Sequence, residues 1–411
     1  MSRLAIDGGT PAYGGNWPKW PVWGEEELTN LRSVLDSAYW GGTTRGPMLQ
    51  RIAESFAAYC DCRYGVPMAN GTVTLELSLR AFDIGEGDEV IIPPFTFAAV
   101  PMAVLNAGAI PVFVDIDPKT LCIDPECISA AITPNTKAVI PVHKAGQPAD
   151  MPRIMRIAEK SDLKVVEDCA QSHGAVLHGR KMGSFGHCGS YSFQQFKNMT
   201  CGEGGMVVTN DPDLADLLDF SLSKFGRIKG GHWYDHHRLA TNATLTEIQA
   251  AILVAQLDRL EEQTKQRAKA GKDLIQALAD IEGIHPYPWA SGTDRHGYHI
   301  FVFSYDADCF EGLPRSDFVG ALNAELGVKD LVGELYPRVL YKTSMFNLDT
   351  GTIAGAPNRT FRVHICPHSE DASRRAVMIH QRALLAGPEA LNAIAESIVK
   401  IQRHAGDRTN K

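Results

Sequence analysis

The sequence predicts an α/β fold: a large domain on a mostly parallel sheet, joined to a smaller C-terminal α+β domain. Two observations predict it. Between about residues 25 and 220, short apolar runs of strand length alternate with stretches of helical spacing, the pattern of a sheet built by crossover connections. Beyond a polar loop over 225–241, a long stretch rich in Ala, Leu and Gln links into a second, smaller set of strands and helices. At 411 residues, 44% of them hydrophobic, the chain is long enough for two domains and a large core. The division is placed at 1–255 and 256–411.

The elements follow in order. Helical spacing over 25–38 and 47–60 gives two amphipathic helices. Asn70-Gly71-Thr72 opens a third that runs to about residue 81, with Asn70 as a natural cap. The apolar run 89–92 is a strand closed by Pro93-Pro94. A helix over 97–107, strands over 110–115 and 138–142, a loop over 143–150 and a helix to about 161 come next. A buried-strand pattern over 163–168 ends in Asp168. Strand-like runs over 189–193 and 206–209 flank a glycine-rich return, and 213–224 is helical. Helical spacing over 245–263 continues over 266–279. The C-terminal domain is expected to hold strands over 299–304 and 362–365, helices over 314–326 and 388–402, and a polar tail from 404.

Composition removes several classes of function. A net charge of −8 argues against general nucleic-acid binding, which wants a basic face. No apolar run approaches the roughly 18 residues of a membrane span. The first residues lack a signal-peptide core, and nine scattered cysteines, an odd number, fit reduced thiols. A cytoplasmic location is therefore expected. Neither Cys60/Cys62 nor Cys122/Cys127 has a second pair or a paired histidine at zinc spacing, so no metal is expected. His232, His236 and His237 read as loop histidines at the surface.

The chemistry concentrates in two segments. Ser192-Phe193-Gln194-Gln195-Phe196-Lys197 leads into a return made permissive by Gly202, Gly204 and Gly205. A lysine in such a cramped turn is a candidate Schiff-base former, because desolvation disfavours the ammonium and frees the lone pair. Upstream, Glu167-Asp168-Cys169-Ala170-Gln171-Ser172-His173-Gly174 places a carboxylate at a strand end. A lysine that holds an aldehyde as an imine, with a carboxylate that keeps a pyridine nitrogen protonated, is the pair pyridoxal phosphate chemistry needs.

These two segments resemble the DegT/DnrJ/EryC1/StrS family of pyridoxal-phosphate-dependent sugar aminotransferases, and the resemblance runs from about Leu4 to Arg403. The Ser-Phe-Gln-Gln-x-Lys form is most similar to the branch that aminates keto-cyclitols such as scyllo-inosose, with aminohydroxybenzoate synthases close by. The resemblance implies fold type I and a homodimer. It gives Lys197 the roles of imine anchor and general base, and gives Asp168 the pyridine nitrogen. Gln171 would meet the ring hydroxyl, Phe97 would stack on the ring, and Gly71, Thr72 and Ser192 would take the phosphate. Asn242 would reach the phosphate of the neighbouring subunit. Two positions depart from the family: Val73 replaces a second hydroxyl or histidine, and Thr244 stands where many relatives carry arginine.

The implied activity is transfer of an amino group from L-glutamine or L-glutamate to a keto-cyclitol or keto-sugar. Nucleotide keto-sugar amination, dehydration or aromatisation, and a regulatory role are the alternatives. Lys224, Arg227 and Lys229 are candidates for a nucleotide diphosphate, or a solvated loop. Gln194 and Gln195 either serve a ring of hydroxyls or brace the lysine turn.

Overall fold

A computed structural model describes residues 3–42 and 44–406. Its centre is an eight-stranded sheet in the order Tyr64–Met68, Gly205–Thr209, Cys188–Ser192, Lys164–Asp168, Thr136–Val139, Glu89–Ile92, Ile110–Phe113, Arg362–Val363. Gly205–Thr209 runs antiparallel to both its neighbours, and the other pairings are parallel. Helices pack on both faces, so the central strands are apolar on both sides: Val90, Ile91, Ile92, Val165 and Val166 are all fully buried. A second sheet, in the order Ile284–Pro286, Ile300–Tyr305, Ala376–His380, Val332–Glu334, is antiparallel throughout.

The helices start where the sequence caps them. Asn70 Oδ1 accepts from the Val73 N–H at 2.9 Å and opens the helix Gly71–Ala81. Thr246 and Gln249 form a capping box at the start of Glu247–Leu278, which runs unbroken for 32 residues. The two expected segments 245–263 and 266–279 are thus one helix, and it passes residue 255 without interruption. No helix among the described residues is long and apolar enough to cross a membrane.

Several expectations are corrected. The strand expected at 362–365 in the C-terminal domain is Arg362–Val363, and it lies parallel beside Ile110–Phe113 at the edge of the large sheet. Two residues of local pattern do not say which sheet a strand will join. The helix expected over 213–224 is α-helical only over Pro212–Asp216 and widens into a π-helix over Leu217–Leu222. The helix expected from 97 begins at Ala99. The strand expected over 138–142 spans Thr136–Val139, and Val142 keeps a single bridge to Asp168. The strands Tyr64–Met68, Val332–Glu334 and Ala376–His380 were not expected.

Candidate active site

The two motif segments and the helix start at Gly71 converge on the carboxyl edge of the parallel sheet, where strands deliver side chains into loops. Asp168 ends Lys164–Asp168, Ser192 ends Cys188–Ser192, and the helix Gly71–Ala81 starts just beyond Tyr64–Met68. Lys197 sits in the return between Cys188–Ser192 and its antiparallel neighbour Gly205–Thr209. Close approach explains two glycines here. A Cβ on Gly205 would lie 2.6 Å from the Asn70 carbonyl, and one on Gly71 would lie 2.6 Å from Ser192 Cβ. The glycines therefore press the lysine hairpin against the start of the helix.

The turn around Lys197 is fixed by its own backbone. Lys197 N–H donates to the Gln194 carbonyl at 2.8 Å, and Gln194 Oε1 accepts from the Phe196 N–H at 2.9 Å. Asn198 Nδ2 donates to the carbonyls of Gly297 (2.7 Å) and Tyr298 (3.3 Å), tying the turn to the C-terminal part of the chain. Burial pushes the Lys197 amine below the ordinary lysine range, against the pull of Asp168 and Glu203. Asp168 is 5% exposed; one oxygen accepts from the Ala170 N–H, and burial pushes its pKa up, opposed by that bond and by Lys197.

Beside them, the loop that follows Thr136–Val139 is braced from below. Glu167 accepts from the N–H groups of Gly183 (2.9 Å), Phe185 (2.7 Å) and Gly186 (2.6 Å), and meets His143 Nε2 at 3.0 Å. His143 Nδ1 accepts from the Ala149 N–H, so Nε2 carries the proton and donates it to Glu167. His143, Glu167 and Cys169 bring potential ligand atoms within 4.8 Å of one another. The bonds made by His143 and Glu167 give that group a structural use. Two residues on from His143, Ala145 N–H donates to Gln171 Oε1 at 2.9 Å, which orients the Gln171 amide.

The predicted residues divide into those the fold gathers and those it leaves apart. Lys197, Asp168, Gln171, Ser192, Gly71 and Thr72 share the carboxyl edge. Phe97 is 64% exposed on the loop after Glu89–Ile92, whereas Phe95 is buried against Tyr336. Asn242 is exposed, and among the described residues its Oδ1 bonds only Thr244, through Oγ1 at 2.9 Å and N–H at 3.4 Å. Gln194 braces the lysine turn with its side chain, which leaves Gln195 as the amide free for another partner. Lys224 pairs with Asp219 and Lys229 with Asp216, each at 2.9 Å. His232, His236 and His237 lie exposed in their loop.

Sequence reasoning missed four residues of this neighbourhood: Lys144, Tyr336, His299 and Asn198. Lys144 Nζ, His299 Nδ1, Asn198 Oδ1, Thr96 Oγ1 and both ring nitrogens of His173 are buried with no hydrogen-bond partner among the described residues. Burial pushes His173 down to about 3 and His299 below its usual range, with the Lys197 charge adding to both. The sole signal in the sequence was a lysine and histidines set among apolar residues, which periodicity does not resolve.

This arrangement fits pyridoxal phosphate. The helix Gly71–Ala81 presents the amides of Gly71 and Thr72, which have no intrahelical acceptor, at its positive end, beside the Ser192 hydroxyl. Asp168 offers a buried carboxylate suited to a protonated ring nitrogen, and Lys197 an amine that makes no hydrogen bond among the described residues. Gly71→Ala is expected to push Ser192 from the helix start, at about 1–3 kcal/mol, and to weaken phosphate binding about tenfold or more. Titration of the cofactor-free protein with pyridoxal phosphate, followed by absorbance, checks this.

The chain is similar to known proteins over nearly its whole length. Residues 21–399 match the DegT/DnrJ/EryC1/StrS aminotransferase family. The L-glutamine:2-deoxy-scyllo-inosose aminotransferase of Streptoalloteichus tenebrarius is 35% identical, over 98% of this chain and 99% of its own length. The enzyme of the same description from Streptomyces kanamyceticus is 36% identical, over 98% and 97%. Among solved structures, 3-amino-5-hydroxybenzoic acid synthase is 32% identical with a TM-score of 0.83, covering 94% of this chain and 98% of its own. The chain belongs to the DegT/DnrJ/EryC1/StrS aminotransferase family, the pyridoxal-phosphate-dependent enzymes its two motif segments resembled.

Proposed function

We propose that this enzyme moves an amino group from L-glutamine, or L-glutamate, to a polyhydroxylated six-membered ring ketone, a free keto-cyclitol rather than a nucleotide-bound sugar. Pyridoxal phosphate would supply the electron sink. Lys197 would anchor it and move the proton at the donor Cα, Asp168 would hold the ring nitrogen, and Gln171 would donate to the ring hydroxyl oxygen. Ser192, Gly71 and Thr72 would take the phosphate, and Phe97 would cover a ring face.

The observation that carries the acceptor reading is the pairing of the loop cations. A nucleotide diphosphate needs unpaired positive charge, and Lys224 and Lys229 already face Asp219 and Asp216. Among the described residues, Arg227 alone of the three candidates has no acidic partner. The amination of keto-inososes by the relatives named above supports the same acceptor class. The test is a titration of the aminated cofactor form with scyllo-inosose, its 2-deoxy analogue and a nucleotide 4-keto-hexose. Return of the pyridoxal spectrum with a cyclitol is expected. Return with the nucleotide sugar alone, lost in Arg227→Ala, would sink the reading.

The exposed Asn242, whose side chain bonds Thr244 alone among the described residues, suits a contact across a two-fold dimer. Mixing inactive Lys197→Ala and Asn242→Ala proteins is expected to restore part of the activity through hybrid dimers with one intact site. A fully active monomer at micromolar concentration excludes a shared site.

A further inference from the structure

We propose that Arg267, with the Gln381 amide beside it, binds the α-carboxylate of the amino donor. The inference rests on the donor and acceptor classes proposed above. Arg267 lies within the helix Glu247–Leu278 and is 0% exposed. Its Nε donates to Gln381 Oε1 at 2.7 Å and its Nη2 to Gln263 Oε1 at 3.3 Å, so both acceptors are neutral amides. Its Nη1 is buried with no hydrogen-bond partner among the described residues. Gln381 is likewise 0% exposed. Because its Oε1 is held by Arg267, the amide cannot turn round, and its Nε2 is left buried without an acceptor among the described residues.

A buried guanidinium with no anion beside it is a costly arrangement, since it has lost water and gained only neutral acceptors. Burial pushes its pKa down to about 9, which still leaves it charged at neutral pH. The Trp20 ring, with its centroid 5.1 Å from the guanidinium carbon, is a weak substitute for a counter-ion. One fixed positive charge and two unused donor groups make a place for an anion, and a planar guanidinium suits a carboxylate above others.

Two separate contacts set this pair beside the lysine turn. The Trp20 indole N–H donates to the Gln195 carbonyl at 3.1 Å, two residues before Lys197. His380, adjacent to Gln381, packs its ring 5.9 Å from that of Phe196, the residue before Lys197. The chemistry then selects the anion. On the proposed reading the cofactor phosphate would sit at Gly71, Thr72 and Ser192, and a free keto-cyclitol carries no charge. The anion left in the reaction is the donor carboxylate, which L-glutamine and L-glutamate share. Held at Arg267, it would fix the direction in which the donor Cα faces Lys197. Trp20 is half-buried, in a stretch between Asp7 and Glu25 that holds no helix or strand, and its ring is what the donor would displace from the guanidinium.

The test compares the wild type with Arg267→Gln and Gln381→Glu, each loaded with pyridoxal phosphate. Calorimetry measures binding of deamino-glutamine, which has the carboxylate but no amine to react. Loss of the charge in Arg267→Gln is expected to weaken it about 10- to 150-fold. Gln381→Glu keeps the shape but sets a carboxylate on the guanidinium, so it is expected to weaken the same binding, and it decides the matter if Arg267→Gln does not fold. Rapid-mixing absorbance then compares L-glutamine with 4-aminobutanamide, the same donor without its carboxylate. The wild type is expected to prefer L-glutamine, and both variants to lose that preference. No measurable binding of deamino-glutamine to the wild type, or unchanged affinity in a folded variant, overturns the proposal. Equal loss with both donors also overturns it, because a merely structural arginine would act on both alike. If L-glutamine fails to convert the cofactor in the wild type, the donor reading fails. If it succeeds and the preference survives in the variants, only the role of Arg267 fails.

Discussion

Lys197→Ala is expected to lower turnover by about four orders of magnitude, the upper end for loss of a positioned proton-transfer group, while cofactor still binds. Binding is expected to survive because, on the proposed reading, the phosphate contacts would come from Gly71, Thr72 and Ser192 and the ring contacts from Asp168 and Gln171. Turnover does not, because no other amine in the neighbourhood is both free and reachable: Lys144 is enclosed by Phe95 and Tyr336. The pH dependence follows from the direction of the shift. Burial lowers the Lys197 pKa from 10.5, so the free amine accumulates as pH rises through a value below that. The rising limb of the first half-reaction is expected there and is expected to vanish in the variant. Rapid-mixing absorbance with L-glutamine measures both. A variant that keeps the rate of the wild type would remove Lys197 from the chemistry. The same shift has a thermodynamic sign. The folded chain holds this amine less protonated than the unfolded chain does, so the group costs stability at neutral pH and the cost shrinks as pH rises.

Asp168→Asn is expected to weaken cofactor affinity and turnover together, in contrast to Lys197→Ala. A charge-assisted hydrogen bond contributes about 1.5–3 kcal/mol, which corresponds to roughly 10- to 150-fold in affinity. Loss of a charge aimed at the reacting system costs turnover about 100- to 1000-fold more. Burial already pushes the pKa of Asp168 up, so without a cation this carboxylate is poorly placed to hold its charge. A protonated pyridine nitrogen would supply that cation, and cofactor binding is expected to bring the Asp168 pKa down. Activity should accordingly fall off at low pH as Asp168 takes up a proton. Retention of full affinity in Asp168→Asn, measured by equilibrium dialysis of pyridoxal phosphate, would show that the nitrogen has another partner.

Much of the site was legible along the chain because it is built from local segments. The run ending in Asp168, the glycines after Lys197 and the cap at Asn70 each carry their meaning within about ten residues. Backbone preference and strand-end geometry act at that range, and the structure sets all three at one edge of the sheet. The long helix after residue 245 and the parallel sheet were legible for the same reason, since periodicity is a local property. What the tertiary structure alone decided depends on partners distant in sequence. Arg362–Val363 joins the large sheet because its partner is Ile110–Phe113, about 250 residues away. Lys224 and Lys229 looked like free loop cations until the fold set them against Asp219 and Asp216. Lys144 read as one loop residue among others. Its burial follows from a brace on Glu167, a strained Ala145 and the ring of Tyr336, which reach it from three separate parts of the chain. Local sequence fixes which conformations a segment prefers, but only the assembled chain fixes which charges find a partner and which are buried without one.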